Sequence, residues 1–201
     1  MGKYFLGIDQ GTTGTTALLI NEKWEVVARG YQEHRQIYPH PGWVEHDPEE
    51  ILQSCIATVS QVLGAYPQCR REDIVSLGID NQGETCTIWE SNTGRPIYNA
   101  LVWQDRRTSA FCDALRESHG EYIRQTTGLV ADAYFSASKF RWILDNVEGA
   151  RERAARGELM AGTLDSFLIY RLTGKKAWIT DASTAGRTML MDMRRGQWDQ
   201  T

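Results

Sequence analysis

The segment Leu6-Gly7-Ile8-Asp9-Gln10-Gly11-Thr12-Thr13-Gly14-Thr15-Thr16-Ala17-Leu18-Leu19-Ile20 sets one carboxylate, spaced glycines and a run of hydroxyls at a turn between two apolar strands. Those residue types can grip a phosphate. Gly11 and Gly14 permit a sharp turn and a close backbone approach, so N–H groups can reach an anion, while Thr12, Thr13 and Thr15 add hydroxyl donors. Asp9, at the end of the first strand, is suited to hold the Mg2+ that accompanies a nucleotide. The same residues also suit a β-hairpin whose glycines and threonines serve only the turn. A Walker A loop is excluded, because no lysine follows the glycines and a strand follows the turn.

The elements that must carry this turn can be read from periodicity. Residues 4 to 31 predict an antiparallel meander of three strands, the third through Val26 and Val27, at one edge of a mixed sheet. Asp47-Pro48-Glu49-Glu50 is a helix start, with Asp47 as N-cap, Pro48 at the first helical position and carboxylates in the first turn. Ile51, Leu52, Ile56, Val59, Val62 and Leu63 then recur at helical spacing, and Gly64 or Pro67 ends the helix. Strands are expected at Ile74 to Ile79, Thr85 to Trp89 and Ile97 to Trp103. Helical spacing recurs in Arg106 to Glu117 and in Lys139 to Val147. A further apolar segment, Leu159 to Gly162, leads through Thr163 into a short helix ending near Gly174, and Trp178 to Met193 reads as strand-rich. Strands interleaved with helices predict an α/β protein with a mixed sheet. With no internal repeat and no Pro/Gly/Ser linker, the chain reads as one folding unit.

Composition narrows the partners. The 201 residues are 41% hydrophobic, enough for a sizeable core, and the net charge is −4. Acidic and basic residues are interspersed, so no basic stripe invites nucleic acid or an anionic membrane. No apolar run is long enough to span a bilayer. Cys55, Cys69, Cys86 and Cys112 lack paired spacing, which fits a reducing cytoplasm. His34, His40, His46 and His119 lack the spacing of a metal site, and His46 reads as part of the helix start at Asp47. The Arg- and Glu-rich segment from Glu148 to Glu158 reads as a solvated face.

Five motifs in order carry a resemblance. They are Asp9-Gln10-Gly11-Thr12-Thr13, Pro41-Gly42-Trp43-Val44-Glu45-His46-Asp47-Pro48, Asn81-Gln82-Gly83-Glu84-Thr85, Asn99-Ala100-Leu101-Val102-Trp103-Gln104-Asp105-Arg106-Arg107-Thr108 and Gly162-Thr163-Leu164-Asp165-Ser166. Together they resemble the N-terminal part of the FGGY carbohydrate kinases, and within that family the members that phosphorylate glycerol. The resemblance runs over almost the whole chain. It implies an actin-like, ribonuclease H-like core, with this chain as an incomplete N-terminal domain of a two-domain kinase that uses ATP and Mg2+. It also implies that Thr12, Thr13 and Gly14 line the nucleotide phosphates and that Asp9 sits near the metal.

For the substrate, polyol recognition needs acceptors for hydroxyls and an aromatic wall for the carbon skeleton. Glu84 stands in a polar turn between two apolar strands, where it either faces a cleft or is merely solvated. The resemblance implies that it contacts substrate hydroxyls, with Trp103 and Tyr134 lining the same pocket. Read without the resemblance, Trp103 is a core aromatic and Tyr134 packs in a loop. Asp105, Arg106 and Arg107 read as a solvated helix start or as a charged cluster near the cleft. Two positions depart from the glycerol-phosphorylating pattern, which has arginine where this chain has Gly83 and where it has Thr16. The loss at Gly83 removes a fork of donors and leaves room for a larger polyol or sugar, such as erythritol or a ketopentose. Asp80 adds a carboxylate beside that motif, and it reads as capping a turn or facing the pocket.

The family's catalytic base is an aspartate of a later Asp-Gln pair, and no segment up to Thr201 matches it. The sequence therefore reads either as the N-terminal portion of a polyol kinase, inactive by itself, or as a non-catalytic binding module prone to self-association through exposed apolar surface.

Overall fold

The computed structural model describes residues 2–201, which form β1 (Tyr4–Gln10), β2 (Gly14–Asn21), β3 (Val26–Glu33), β4 (Glu45–His46), α1 (Pro48–Ala65) and β5 (Ile74–Asn81). There follow β6 (Cys86–Glu90), β7 (Ala100–Leu101), α2 (Ser109–Thr127), α3 (Ser136–Asn146) and α4 (Ala150–Ala155). The chain closes with β8 (Leu159–Thr163), α5 (Leu164–Leu172), α6 (Ala182–Ala185), β9 (Met191–Asp192) and β10 (Gln197–Trp198). Two compact units result: the first holds residues up to Gln36 together with Asp47–Gln82, and the second holds Ile37–His46 together with Gly83–Thr201.

In the first unit the sheet order is β3-β2-β1-β5. β1, β2 and β3 are antiparallel neighbours, and β5 lies parallel to β1. A three-stranded meander with a parallel fourth strand is the mixed sheet expected of an actin-like, ribonuclease H-like core. Strand alternation sends Leu6 and Ile8 of β1 and Ala17 and Leu19 of β2 to the buried side, with Leu6 opposite Leu19 and Ile8 opposite Ala17. α1 covers that sheet through Ile51, Cys55, Thr58 and Val62, spaced four, three and four residues apart. Leu6, Ala17, Leu19, Val62 and Cys69 close into one apolar cluster. The helix begins as its sequence predicts: Asp47 accepts from the Glu49 N–H at 2.9 Å, Pro48 occupies the first turn, and Glu49 and Glu50 complement the helix dipole.

In the second unit the sheet order is β4-β7-β6-β8, with every pairing antiparallel. Ile88, Leu101 and Ile143 form one apolar cluster, and Ile123, Ala131, Phe135 and Met189 form another. Trp89 packs edge-on against Phe167 at 5.5 Å. Three expectations are corrected here. The strand at Ile97 to Trp103 shortens to Ala100–Leu101: Val102 N–H still meets the Val44 carbonyl at 3.1 Å, but the Val102 carbonyl is taken in a turn by the Asp105 N–H at 2.9 Å and the Trp103 N–H by Thr85 Oγ1 at 3.2 Å. The helix expected from Arg106 to Glu117 starts later, at Ser109, and runs to Thr127, where Gly128 ends it with φ 73°. The stretch Trp178 to Met193 holds little strand. Asp181 caps α6 by accepting from the Thr184 N–H at 2.9 Å, and the Ile179 carbonyl is taken by Ser166 Oγ at 3.0 Å, so the backbone has no ladder to join. Among the described residues, no helix is long and apolar enough to cross a membrane.

Candidate active site

In the first unit, the Gly11 N–H closes the β1–β2 turn on the Gly14 carbonyl at 3.0 Å. The Gly11 carbonyl accepts from the Gln10 side chain at 2.8 Å and from Gln82 Nε2 at 3.1 Å. Gln36 Nε2 donates to the Thr12 carbonyl at 2.8 Å, and the His34 N–H to the Thr13 carbonyl at 3.4 Å. Every carbonyl from Gly11 to Gly14 is thus engaged within the protein, so an incoming anion does not meet bare acceptors. Thr13 is exposed and Thr12 half-buried. Gly14 is required for space: an added Cβ would lie 2.7 Å from the Gln32 carbonyl oxygen. Thr15, read from sequence as a third hydroxyl of the turn, points the other way. Strand alternation buries it against α1, where its hydroxyl meets Ser54 Oγ at 2.7 Å.

Asp9 is exposed at the end of β1, opposite Asp80 on the parallel strand β5. Residues in register on neighbouring parallel strands face the same side, so two carboxylates stand together near the turn. Asp80 accordingly belongs to a strand and not to a turn, although one of its oxygens accepts from the Asn81 N–H at 2.9 Å. Mg2+ is commonly held by one or two carboxylates with phosphate and water completing its shell, so this donor set fits that ion. No cluster of three or more His, Cys, Asp or Glu side chains suited to a metal occurs among the described residues.

In the second unit, Glu84 precedes β6 and is buried, its carbonyl accepting from Ser136 Oγ at 3.0 Å. Trp103 follows β7, where its N–H donates to Thr85 Oγ1 at 3.2 Å. Its ring stands 5.5 Å from Tyr134, and Tyr134 lies 5.3 Å from Phe135. Glu84 Oε1 accepts from Arg187 Nε at 2.6 Å, and the Arg187 guanidinium lies over the Phe135 ring at 5.0 Å. Gly83 sits beside the same arginine. One carboxylate, one guanidinium and three aromatic rings therefore share a neighbourhood, a combination that can order hydroxyls against a flat apolar wall.

Two charged groups that hold this neighbourhood were not legible as such. Lys139 of α3 is fully buried, and its ammonium donates to the carbonyls of Ala133, Tyr134 and Phe135, the last two at 2.7 and 3.1 Å. Three consecutive carbonyls converging on one cation fix the loop that bears Tyr134. Burial pushes the Lys139 pKa down to about 8, against the opposing pull of Cys86, Asp105, Cys112 and Glu84. The second group is the Asp105–Arg107 pair, which is no solvated helix start. The Asp105 side chain is 0% exposed and accepts from the Val44 N–H at 2.7 Å. Arg107 Nη2 reaches Asp105 Oδ2 at 2.9 Å and Glu45 Oε1 at 2.7 Å, and the guanidinium stacks 3.8 Å from Trp43 and 4.4 Å from Trp142. Arg106 alone matches the solvated reading, pairing with Asp132 at the surface. His46 is likewise buried in β4 and not part of a helix start. Burial also raises the thiol of Cys86 to about 12 and that of Cys55 to about 11, which removes both as nucleophiles near neutral pH.

The chain belongs to the FGGY family of carbohydrate kinases and matches its N-terminal domain over residues 4–201. It is 51% identical to glycerol kinase 2 of Thermotoga maritima and 50% identical to the glycerol kinase of Fusobacterium nucleatum, covering 98% of this chain and 40% of each relative. Among solved structures, that of Plasmodium falciparum glycerol kinase with ADP aligns with a TM-score of 0.87 at 32% identity, over 99% of this chain and 40% of the other. The chain thus spans about 40% of the length of the curated relatives it matches.

Proposed function

We propose that this chain supplies phosphate-gripping and polyol-reading residues to an ATP-dependent kinase acting on glycerol or a related polyol. The observation that carries the reading is the buried Glu84 carboxylate set among Trp103, Tyr134 and Arg187. A carboxylate accepts from substrate hydroxyls, and the two rings give the carbon skeleton an apolar face. Thr12 and Thr13, on the turn that Gly11 and Gly14 shape, take the nucleotide phosphates, whose charge is spread over several oxygens and calls for many weak donors. Asp9, with Asp80 beside it, takes Mg2+, which supplies charge neutralisation to the phosphates when bound. The general base is assigned to no residue of this chain.

A second reading, a kinase of another sugar or polyol such as erythritol or a ketopentose, is favoured by the small residue at position 83. ADP release measured with ATP, Mg2+ and a panel of polyols and sugars separates the two. The first reading expects turnover that depends on glycerol, in the longer protein that carries this chain. Preference for a larger substrate selects the second, and no dependence on any polyol or sugar rejects both in favour of a non-catalytic binding module.

A further inference from the structure

Arg187 follows α6, where its N–H donates to the Thr184 carbonyl at 2.9 Å, and the next residue's carbonyl accepts from the Ala137 N–H at 2.9 Å. Its backbone is therefore fixed at both the helix end and the start of α3. Its Nε is bound to Glu84 Oε1 at 2.6 Å, and its guanidinium carbon lies 5.0 Å from the Phe135 ring and 5.9 Å from Tyr134. The stem passes over Gly83, where an added Cβ would stand 3.7 Å from Arg187 Cγ. A methyl fits that gap, whereas a longer side chain at position 83 would contend with the arginine for the same space.

An ion pair that only braces the fold buries its guanidinium, as Arg107 does with a side chain that is 0% exposed. Arg187 does not. Its side chain keeps 43% of its surface exposed while that of Glu84 keeps 10%, and among the described residues neither Nη nitrogen has a hydrogen-bond partner. Glu84 Oε2 likewise accepts from none of them. The result is a donor edge beside an acceptor edge, over an aromatic wall, with no net charge. A pair of neighbouring hydroxyls matches that pattern, because each can donate and accept. A substrate carboxylate does not, since Glu84 already neutralises the arginine and would repel a second anion.

We propose that Arg187 is a specificity-determining ligand of the substrate, donating from Nη to one hydroxyl oxygen of a neutral polyol whose neighbouring hydroxyl donates to Glu84 Oε2. The proposal rests on the polyol reading above and adds to it both the residue and the preference for neutral substrates. Titration of the wild-type chain, Arg187→Met and Arg187→Lys with glycerol, propane-1,2-diol, propane-1,3-diol and glycerate, followed by saturation-transfer NMR, tests it, with circular dichroism confirming that each variant is folded. Wild type is expected to bind glycerol and to reject glycerate. Arg187→Met is expected to bind glycerol roughly tenfold or more weakly, with Arg187→Lys between them. Whichever diol binds wild type more weakly through loss of the contacted hydroxyl is expected to lose little further in Arg187→Met, because the same bond cannot be lost twice. Equal glycerol affinity in wild type and Arg187→Met, or losses that add in full, overturns the role of Arg187 while leaving the polyol reading intact. A wild-type chain that binds none of the polyols overturns the polyol reading and this inference with it.

Discussion

Arg107 and Glu45, 62 positions apart in the chain, meet at 2.7 Å with side chains that are 0% and 2% exposed. Tyr98 Oη and Asn99 Nδ2 donate to the same carboxylate at 2.9 and 2.8 Å, so both of its oxygens are satisfied. Removing Arg107 leaves the buried Glu45 and Asp105 carboxylates without their cation, whereas removing the Glu45 charge leaves Arg107 still paired with Asp105. Arg107→Met is therefore expected to cost roughly 3–5 kcal/mol and Glu45→Gln less, read as a lowered urea midpoint in chemical unfolding. A midpoint unchanged from wild type would show that the pair does not brace the fold.

Lys139 gives a pH signature of known sign. Its ammonium titrates near 8 in the folded chain and near its ordinary 10.5 once unfolded. Between those values the unfolded state holds more protons, so this residue makes stability rise with pH across that window. Below about 8 the burial penalty is present in full. The wild-type stability measured relative to Lys139→Met is expected to climb by about 3 kcal/mol from pH 8 to 10.5. Taking the difference removes the opposing contribution of the raised thiols of Cys55 and Cys86. A difference that stays flat would mean that the lysine is charged throughout and its burial is compensated.

Gly14 tests the packing of the turn. Because the atom nearest to an added Cβ is the backbone oxygen of Gln32, at 2.7 Å, relief requires a strand to move. Gly14→Ala is expected to cost on the order of 1–3 kcal/mol and to weaken nucleotide binding, measured by titration with ATP and Mg2+. Retained stability and affinity would show that β2 and β3 separate freely at this point.

Asp9 tests the metal. Asp9→Asn removes one of two carboxylates in register while preserving shape, so the Mg2+ concentration needed for half-maximal turnover is expected to rise while the polyol KM holds. A change confined to the polyol KM would place Asp9 on the substrate side.

Much of this arrangement could be read from the residues. Alternation in the first strands and the Asp47-Pro48-Glu49-Glu50 start led directly to the meander and α1, because both rest on local patterns. The stretch from Trp178 to Met193 misled because its apolar residues are spread like a strand's while Asp181 caps a helix and Ser166 claims a carbonyl from the segment. Lys139 looked like an ordinary polar position on an amphipathic helix. Its burial depends on three carbonyls of the preceding loop, which periodicity does not report. Arg187 lies 103 positions from Glu84, so only the folded chain brings them together. Asp105 and Arg107 resembled a helix start since the tryptophans that enclose the guanidinium, Trp43 and Trp142, lie far away in sequence.

Product formation under Glu84→Gln tests most directly the proposal that Glu84 reads a polyol for phosphoryl transfer. Phosphorylated polyol would be followed by 31P NMR with the longer protein that carries this chain, in ATP, Mg2+ and glycerol. Loss of the charged acceptor should cut kcat/KM by roughly tenfold to a hundredfold while ATP binding persists. Undiminished phosphorylated product from Glu84→Gln would show that Glu84 does not read the substrate.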